Sequence, residues 1–294
     1  MCVCEFLDCF LEFAAKIQNA HRSFRRFIRT NTSASWTTMR KRLLSTISSS
    51  ISKSKTHKNN ITVHQIPCLS DNYAYLVELK NGKRVCVDPS ESDPIVSAMK
   101  DLGWENNSLD FIWNTHHHYD HVGGNKELKE YTGCFVIGPD YGSDIPEIDV
   151  GIRENRDDEE KMSFLHDTET IQVLALPGHT LDHIGFYLPE SGLLFSGDTL
   201  FAMGCGRLFE GTAEQMYESL QKISNLPDNT IVYAAHEYTQ DNARFALSEE
   251  PSNQDVLDRS DHVNELRSRD ETTVPFDLAQ ERKTNPFLRA ADVE

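Results

Sequence analysis

From Ile61 onward, short apolar and β-branched runs at 61–66, 73–79, 84–88, 109–114, 134–138, 170–176, 184–188, 193–196 and 230–235 alternate with polar stretches, and each reads as a strand. Between several of them the apolar spacing lengthens to that of a helix. Asp93 as N-cap, Pro94 at the first helical position and Ile95, Met99 and Leu102 at i, i+4 and i+7 predict one helix. Thr212 and Gln215 form a capping-box pair ahead of Met216, Leu220 and Ile223 and predict another. Glu190-Ser191-Gly192 between two strand runs predicts a hairpin turn, so antiparallel pairs are expected in the sheet. After Glu237 the strand pattern stops, and the remainder is polar, helix-compatible and interrupted by Pro251, Pro275 and Pro286. The pattern predicts a β-rich α/β body over 61–236 and a small helical region over 237–294, without internal repeats.

Charge separates the first sixty residues from the rest. Residues 1–60 hold 11 Lys/Arg against 3 Asp/Glu, leaving a net charge of −25 on residues 61–294. Arg22, Arg25, Arg26 and Arg29 share a helical face, and a Ser/Thr-rich stretch follows from Thr32 to Thr56. This is transit-peptide composition, and mitochondrial import of a leader spanning 1–60, disordered in the mature protein, is the expectation. Met39 starts a second basic stretch and offers an alternative start. The acidic body excludes a general nucleic-acid binder, because it repels phosphate backbones. No uncharged apolar run approaches the ~18 residues of a spanning helix, so no membrane partner is expected. Seven cysteines without CxxC spacing in the body read as free thiols in a reducing compartment.

The chemistry is concentrated at the ends of strand runs. Thr115-His116-His117-His118-Tyr119-Asp120-His121 follows the apolar Phe111-Ile112-Trp113 directly. Alternation at a strand end turns His116 and His118 to one side and His117 away. Asp120 and His121 then fall in the turn that follows, where they can face a second ion. Three further runs end on a ligand-type residue: His179 in Pro177-Gly178-His179-Thr180, Asp198 in Gly197-Asp198-Thr199, and His236 in Ala235-His236-Glu237. Ligands at successive strand ends converge on one rim of a sheet. They divide into His116, His118 and His179 for one ion and Asp120, His121 and His236 for another, with Asp198 shared. Imidazole and carboxylate suit two divalent metal ions per chain, Zn²⁺ first, Fe²⁺ or Mn²⁺ as alternatives.

HxHxDH followed by PGHT, GDTLF and a final histidine resembles the metallo-β-lactamase superfamily, which implies a four-layer αββα sandwich (fold class α/β, α+β) with a dinuclear site at one edge. Asp71-Asn72-Tyr73, Gly204-Cys205-Gly206-Arg207, His236-Glu237-Tyr238-Thr239 and Thr284-Asn285-Pro286-Phe287-Leu288-Arg289 narrow the resemblance, over residues 61–294, to glyoxalase II, the hydroxyacylglutathione hydrolases. The resemblance implies hydrolysis of a small-molecule glutathione thioester, S-D-lactoylglutathione above all, by a hydroxide held between two metals, with Asp120 and Asp198 as the catalytic carboxylates. It also implies that Arg207, Tyr238 and Arg289 contact glutathione, while Phe209 stands where some members carry tyrosine. His117 and His183 are read as supporting residues, and Tyr73 and Tyr119 as candidates to line the acyl pocket. Five residues follow Arg289, where family members continue for another helix, so a shortened substrate region is expected, in a monomer. A mononuclear iron persulfide dioxygenase on the same fold is the alternative, and it would not use Asp120, His121 and His236 together as ligands.

Overall fold

The structure, a computed structural model, describes residues 50–140, 144–152 and 170–290. The leader expected over 1–60 lies outside the described residues up to position 49.

Seven strands form the first sheet in sequential order: β1 (Lys53–Thr56), β2 (Thr62–Cys68), β3 (Asn72–Glu78), β4 (Arg84–Val87), β5 (Phe111–Trp113), β6 (Phe135–Pro139) and β7 (Val150–Ile152). β1 to β4 pair antiparallel and β4 to β7 parallel. The parallel half needs crossovers, and two of them are helical: α1 (Ser92–Asp101) joins β4 to β5, while α2 (Tyr119–Val122) and α3 (Asn125–Thr132) join β5 to β6. β8 (Gln172–Ala175), β9 (Ile184–Leu188) and β10 (Leu193–Gly197) lead into a small hairpin of β11 (Leu200–Phe201) and β12 (Gly204–Cys205). After α4 (Ala213–Ser224) and β13 (Ile231–Ala234) come α5 (Thr239–Glu249), α6 (Gln254–Ser268), β14 (Phe276–Asp277) and α7 (Leu278–Thr284). The second sheet runs β14-β13-β10-β9-β8.

Alternation along β4 and β5 sorts the core into layers. Val85, Val87, Phe111 and Trp113 face the second sheet, where Trp113 stacks on Phe186 with centroids 4.9 Å apart. Tyr75 packs between Phe195 and Tyr233 at 5.7 and 5.1 Å. Cys86 and Ile112 point the other way, onto Ile95 and Met99 of α1 and Leu128 of α3. Met216, Leu220 and Ile223 of α4 join the inter-sheet cluster from the second sheet's side. The result is the expected four-layer arrangement of helix, sheet, sheet and helix.

All nine expected strand runs contain a strand, and Thr212 and Gln215 exchange both bonds of the capping box at 2.9 and 3.2 Å. Differences lie at the margins. α1 starts at Ser92 with Glu91 in the N-cap position, so Asp93 and Pro94 sit inside its first turn. Proline costs nothing there because the first N–H groups of a helix have no internal partner. β1 lies within the stretch expected to be a disordered leader. Its side chains are all exposed and polar, so nothing in their pattern marks a strand, yet its backbone pairs with β2 from Lys53 to Thr56. β14 corrects the expectation of a purely helical region after Glu237: Phe276 and Asp277 pair with β13 and tie that region to the second sheet.

Candidate functional site

Each sequence-predicted ligand stands just past the end of a strand. β5 delivers His116 and His118, and the single turn of α2 turns Asp120 and His121 back toward the sheet rim. Asn114, fully buried, holds that turn by donating to the His121 carbonyl at 3.0 Å. β8, β10 and β13 lead to His179, Asp198 and His236. At the end of β10, Gly197 has φ +50°, a left-handed turn that suits glycine and aims Asp198 inward. Gly206 permits the return strand to approach: a Cβ there would lie 1.7 Å from the Asp198 carbonyl oxygen.

The structure brings all seven together. His116 Nε2 and His179 Nε2 lie 3.1 and 3.0 Å from His118 Nδ1, and His179 Nε2 lies 3.3 Å from Asp198 Oδ2. In the second group, Asp120 Oδ2 is 3.6 Å from His121 Nε2 and 3.4 Å from His236 Nε2. Asp198 Oδ1 is 3.5 and 3.4 Å from the same two nitrogens. Each oxygen of Asp198 therefore faces a different group. Donors about 2.1 Å from one ion stand roughly 3.0–3.4 Å apart, so the spacings are those of coordination polyhedra. His121 Nε2 and Asp198 Oδ1 are buried without a hydrogen bond among the described residues. Two orphaned polar atoms at the shared edge are what a cation would satisfy. The fit to a pair of divalent ions is good.

The rings are oriented from behind. His236 Nδ1 donates to Asp71 at 2.8 Å, His121 Nδ1 to Asp88 at 3.1 Å, and His179 Nδ1 to the Arg207 carbonyl at 2.8 Å. The Thr115 hydroxyl gives its proton to Asp88 at 2.7 Å, so His116 Nδ1 donates to Thr115 Oγ1 at 3.0 Å. In all four, the bond at Nδ1 fixes the ring and turns Nε2 toward the site. Asp71 and Asp88 were not singled out as site residues in the sequence. The position of Asp88 at the end of the strand run 84–88 is the signal the sequence offers. His183 does not enter the cluster: it accepts from the Asp198 backbone N–H at 3.0 Å and stacks on His116 at 4.8 Å, a supporting role as expected. His117 points away, to Asp182 and Glu210.

Burial pushes His116 well below the usual imidazole range and His179 down to about 4, which keeps them neutral as ligands must be. His236 is opposed by burial too, but the Asp198 charge and the bond to Asp71 prevail and raise it to about 9. Asp198 is penalised by burial and nevertheless held well below the carboxylate range by His236 and His121. Positive charge is demanded beside Asp198.

A cleft of about 420 Å³ opens over both groups, lined among others by Tyr119, Phe201, Arg207, Phe209, Tyr238 and Asn242. Tyr238 stacks on His236, ring centroids 4.6 Å apart and 7° from parallel. Phe209 stands edge-on to His118 and His179 at 5.5 and 5.2 Å. Two of the expected residues lie outside this cleft. Tyr73 does not line this cleft; its hydroxyl donates to Glu237 at 3.0 Å and its ring borders a separate cavity. Arg289 is not brought to the cleft either, because its guanidinium is engaged by Glu250 at 3.1 and 3.2 Å and by the Lys283 carbonyl at 3.1 Å.

Residues 70–236 match the profile of the Metallo-beta-lactamase superfamily, and residues 237–294 that of the Hydroxyacylglutathione hydrolase C-terminus. The hydroxyacylglutathione hydrolase of Methylococcus capsulatus is 47% identical over 236 residues, which cover 80% of this chain and 89% of that protein. Among solved structures, the BLEG-1 B3 metallo-beta-lactamase superposes with a TM-score of 0.55 at 21% identity, covering 77% of this chain and 99% of the other, which bears on fold alone. TTHA1623, solved in a di-iron-bound form, gives a TM-score of 0.51 at 25% identity over 76% of this chain and 98% of the other.

Proposed function

The chain belongs to the hydroxyacylglutathione hydrolase family of the metallo-beta-lactamase superfamily, and on that premise we infer that it hydrolyses S-D-lactoylglutathione and related S-2-hydroxyacylglutathiones to the 2-hydroxy acid and glutathione. The observation that carries the reading is the pair of donor groups joined by Asp198 at the floor of a cleft whose wall, at Tyr238 and Asn242, comes from the C-terminal region. That wall favours thioester hydrolysis over persulfide dioxygenation.

His116, His118 and His179 would hold one divalent ion, Asp120, His121 and His236 the other, with Asp198 between them. Two bound ions, zinc by preference and iron or manganese as substitutes, supply a Lewis acid and an acidified water. Asp120, the most exposed of the carboxylates in the group, orients the water that attacks the thioester carbonyl. The C–S bond breaks, the oxygen stays with the acyl group, and the glutathione thiolate leaves without a strong proton donor. Tyr238, fixed by its stack on His236, and Arg207 at the rim meet the glutathione moiety. Arg289 takes a substrate carboxylate only by exchanging it for Glu250. Phe209, edge-on to His118 and His179, stands where some members carry tyrosine and offers the glutathione moiety no hydroxyl.

The test is thiol release from S-D-lactoylglutathione by the full-length, metal-loaded protein, with metal content measured in parallel. Turnover with about two metals per chain is expected; a loaded protein that releases no thiol overturns the reading. For the basic leader, organellar import, most simply mitochondrial, is supported by its composition alone. A reporter carrying residues 1–60 that stays diffuse in the cytosol would reject it.

A further inference from the structure

We propose that Glu237 is a positioning residue through which the C-terminal region holds the second donor group. On this view the ion at Asp120, His121 and His236 depends on that region and the ion at His116, His118 and His179 does not, an inference that rests on the two-ion reading above. Glu237 stands in the chain between His236 and Tyr238, yet its side chain lines no part of the cleft and is 7% exposed. Its carboxylate accepts from the Tyr73 hydroxyl at 3.0 Å, from the Thr273 amide at 2.9 Å and from the Thr273 hydroxyl, with Arg267 of α6 at 3.8 Å. Tyr73 belongs to β3, whereas Thr273 lies between α6 and β14. One side chain therefore joins the start of β3 to the C-terminal region.

The supports of the two donor groups differ in origin. Asp71 orients His236 and Asn72 braces Asp120, and both precede Tyr73 directly. His116 and His179 are oriented instead by Thr115 and the Arg207 carbonyl, both from the α/β body. Backbone bonds align 71–73 with 235–237: the Tyr73 amide donates to Ala235 at 2.7 Å and the Glu237 amide to Asp71 at 2.9 Å. These bonds fix the two segments to each other and neither of them to the C-terminal region. Close packing does not anchor them there, since a cavity of about 560 Å³ lies behind, lined by Asp71, Asn72, Tyr73, Glu237, Arg267 and Thr272 among others. Without the carboxylate, the Tyr73 hydroxyl and the Thr273 amide lose their acceptor beside that cavity, and the segment that carries Asp71 and Asn72 is free to shift. Glutamine can keep the bonds: its carbonyl accepts where Oε2 does, and its amide donates to the Thr273 hydroxyl.

The experiment titrates full-length wild type, Glu237→Ala, Glu237→Gln and Tyr73→Phe with Zn²⁺ against a chelating dye, and records zinc X-ray absorption of the one-zinc forms. Glu237→Ala should bind one ion as wild type does and the other about 10- to 100-fold more weakly. The retained ion should show three imidazole ligands, the number in the first group. Tyr73→Phe keeps the ring and should weaken the same ion by about three- to tenfold, which decides the matter if Glu237→Ala does not fold. Glu237→Gln should stay close to wild type. A lowered Tm with both ions bound as in wild type would show a merely structural role and overturn the proposal. So would loss of both ions together, a retained ion with two imidazoles, or Glu237→Gln as weak as Glu237→Ala. Wild type that binds fewer than two ions would instead overturn the two-ion reading itself.

Discussion

Asn72 donates through Nδ2 to Asp120 twice, to its backbone carbonyl at 3.1 Å and to its Oδ2 at 3.0 Å. Asn72 opens β3, is buried, and also forms an isolated antiparallel bridge with His236. One residue thus ties the turn after β5 to the end of β13, the two sources of the second donor group. Asn72→Ala should lower affinity for one of the two ions by about 10- to 100-fold, because it frees Asp120 to rotate. Metal titration checks this: the variant should lose one ion per chain well before the other.

Asp198 faces both groups with one oxygen each, so its amide analogue cannot serve them equally. Asp198→Asn should lose both metals and more than about 100-fold in kcat/KM, while circular dichroism shows an intact fold. Full activity in this variant would remove Asp198 from the shared position.

Arg289 and Glu250 form a pair outside the cleft. Arg289→Ala should raise KM for S-D-lactoylglutathione, whereas Glu250→Gln, which releases the guanidinium, should lower it. Neither should change metal content. KM values unmoved in both variants would make this ion pair purely structural.

Asn285 supports the substrate wall from behind. Its side-chain amide donates to the carbonyls of Phe201 and Gly204 at 3.2 and 2.9 Å and to Glu281 at 2.9 Å, all buried. Glu281 in turn pairs with the buried Arg259 and accepts the Met203 amide at 2.8 Å. Asn285→Ala would take this donor from the Phe201 and Gly204 carbonyls, at about 1–3 kcal/mol for a buried group left unpaired, while Glu281 keeps Arg259 and the Met203 amide. A lowered Tm together with a raised KM is expected, since the β11–β12 hairpin carries the chain into Arg207 and Phe209.

His57 is half-buried against the Tyr233 hydroxyl at 2.6 Å, and burial lowers it from 6.5 to about 4. The unfolded chain therefore binds the proton first as pH falls. Stability contributed by neutral His57 is full above pH 6.5 and is lost progressively between pH 6.5 and about 4. Chemical denaturation at several pH values should show the advantage of wild type over His57→Gln shrinking across that window.

Legibility in the sequence followed the range of the interactions. The seven clustered residues are visible because each terminates a local apolar run or sits in the turn directly after one, and a strand end is a local property. The roles of Asp71 and Asp88 are not, since each acts on a histidine far away in the chain, and neither the Asp71-Asn72-Tyr73 segment nor a strand end at Asp88 tells which ring it meets. β1 was hidden by its exposed polar side chains and β14 by its length of two residues; backbone pairing alone defines both. Tyr73 was misplaced for a related reason: strand alternation tells that a side chain is buried, not which of two cavities it borders.

The sequence by itself determined the alternation that buries Val85 and Trp113 on one face and Cys86 and Ile112 on the other, and the donor types at four strand ends. It also determined the family. Tertiary structure alone decided that Asp71 and Asp88 orient His236 and His121, that Asn72 braces Asp120, and that Arg289 turns to Glu250. These depend on distances between residues far apart in the chain, which only the packing of two sheets and the C-terminal helices sets.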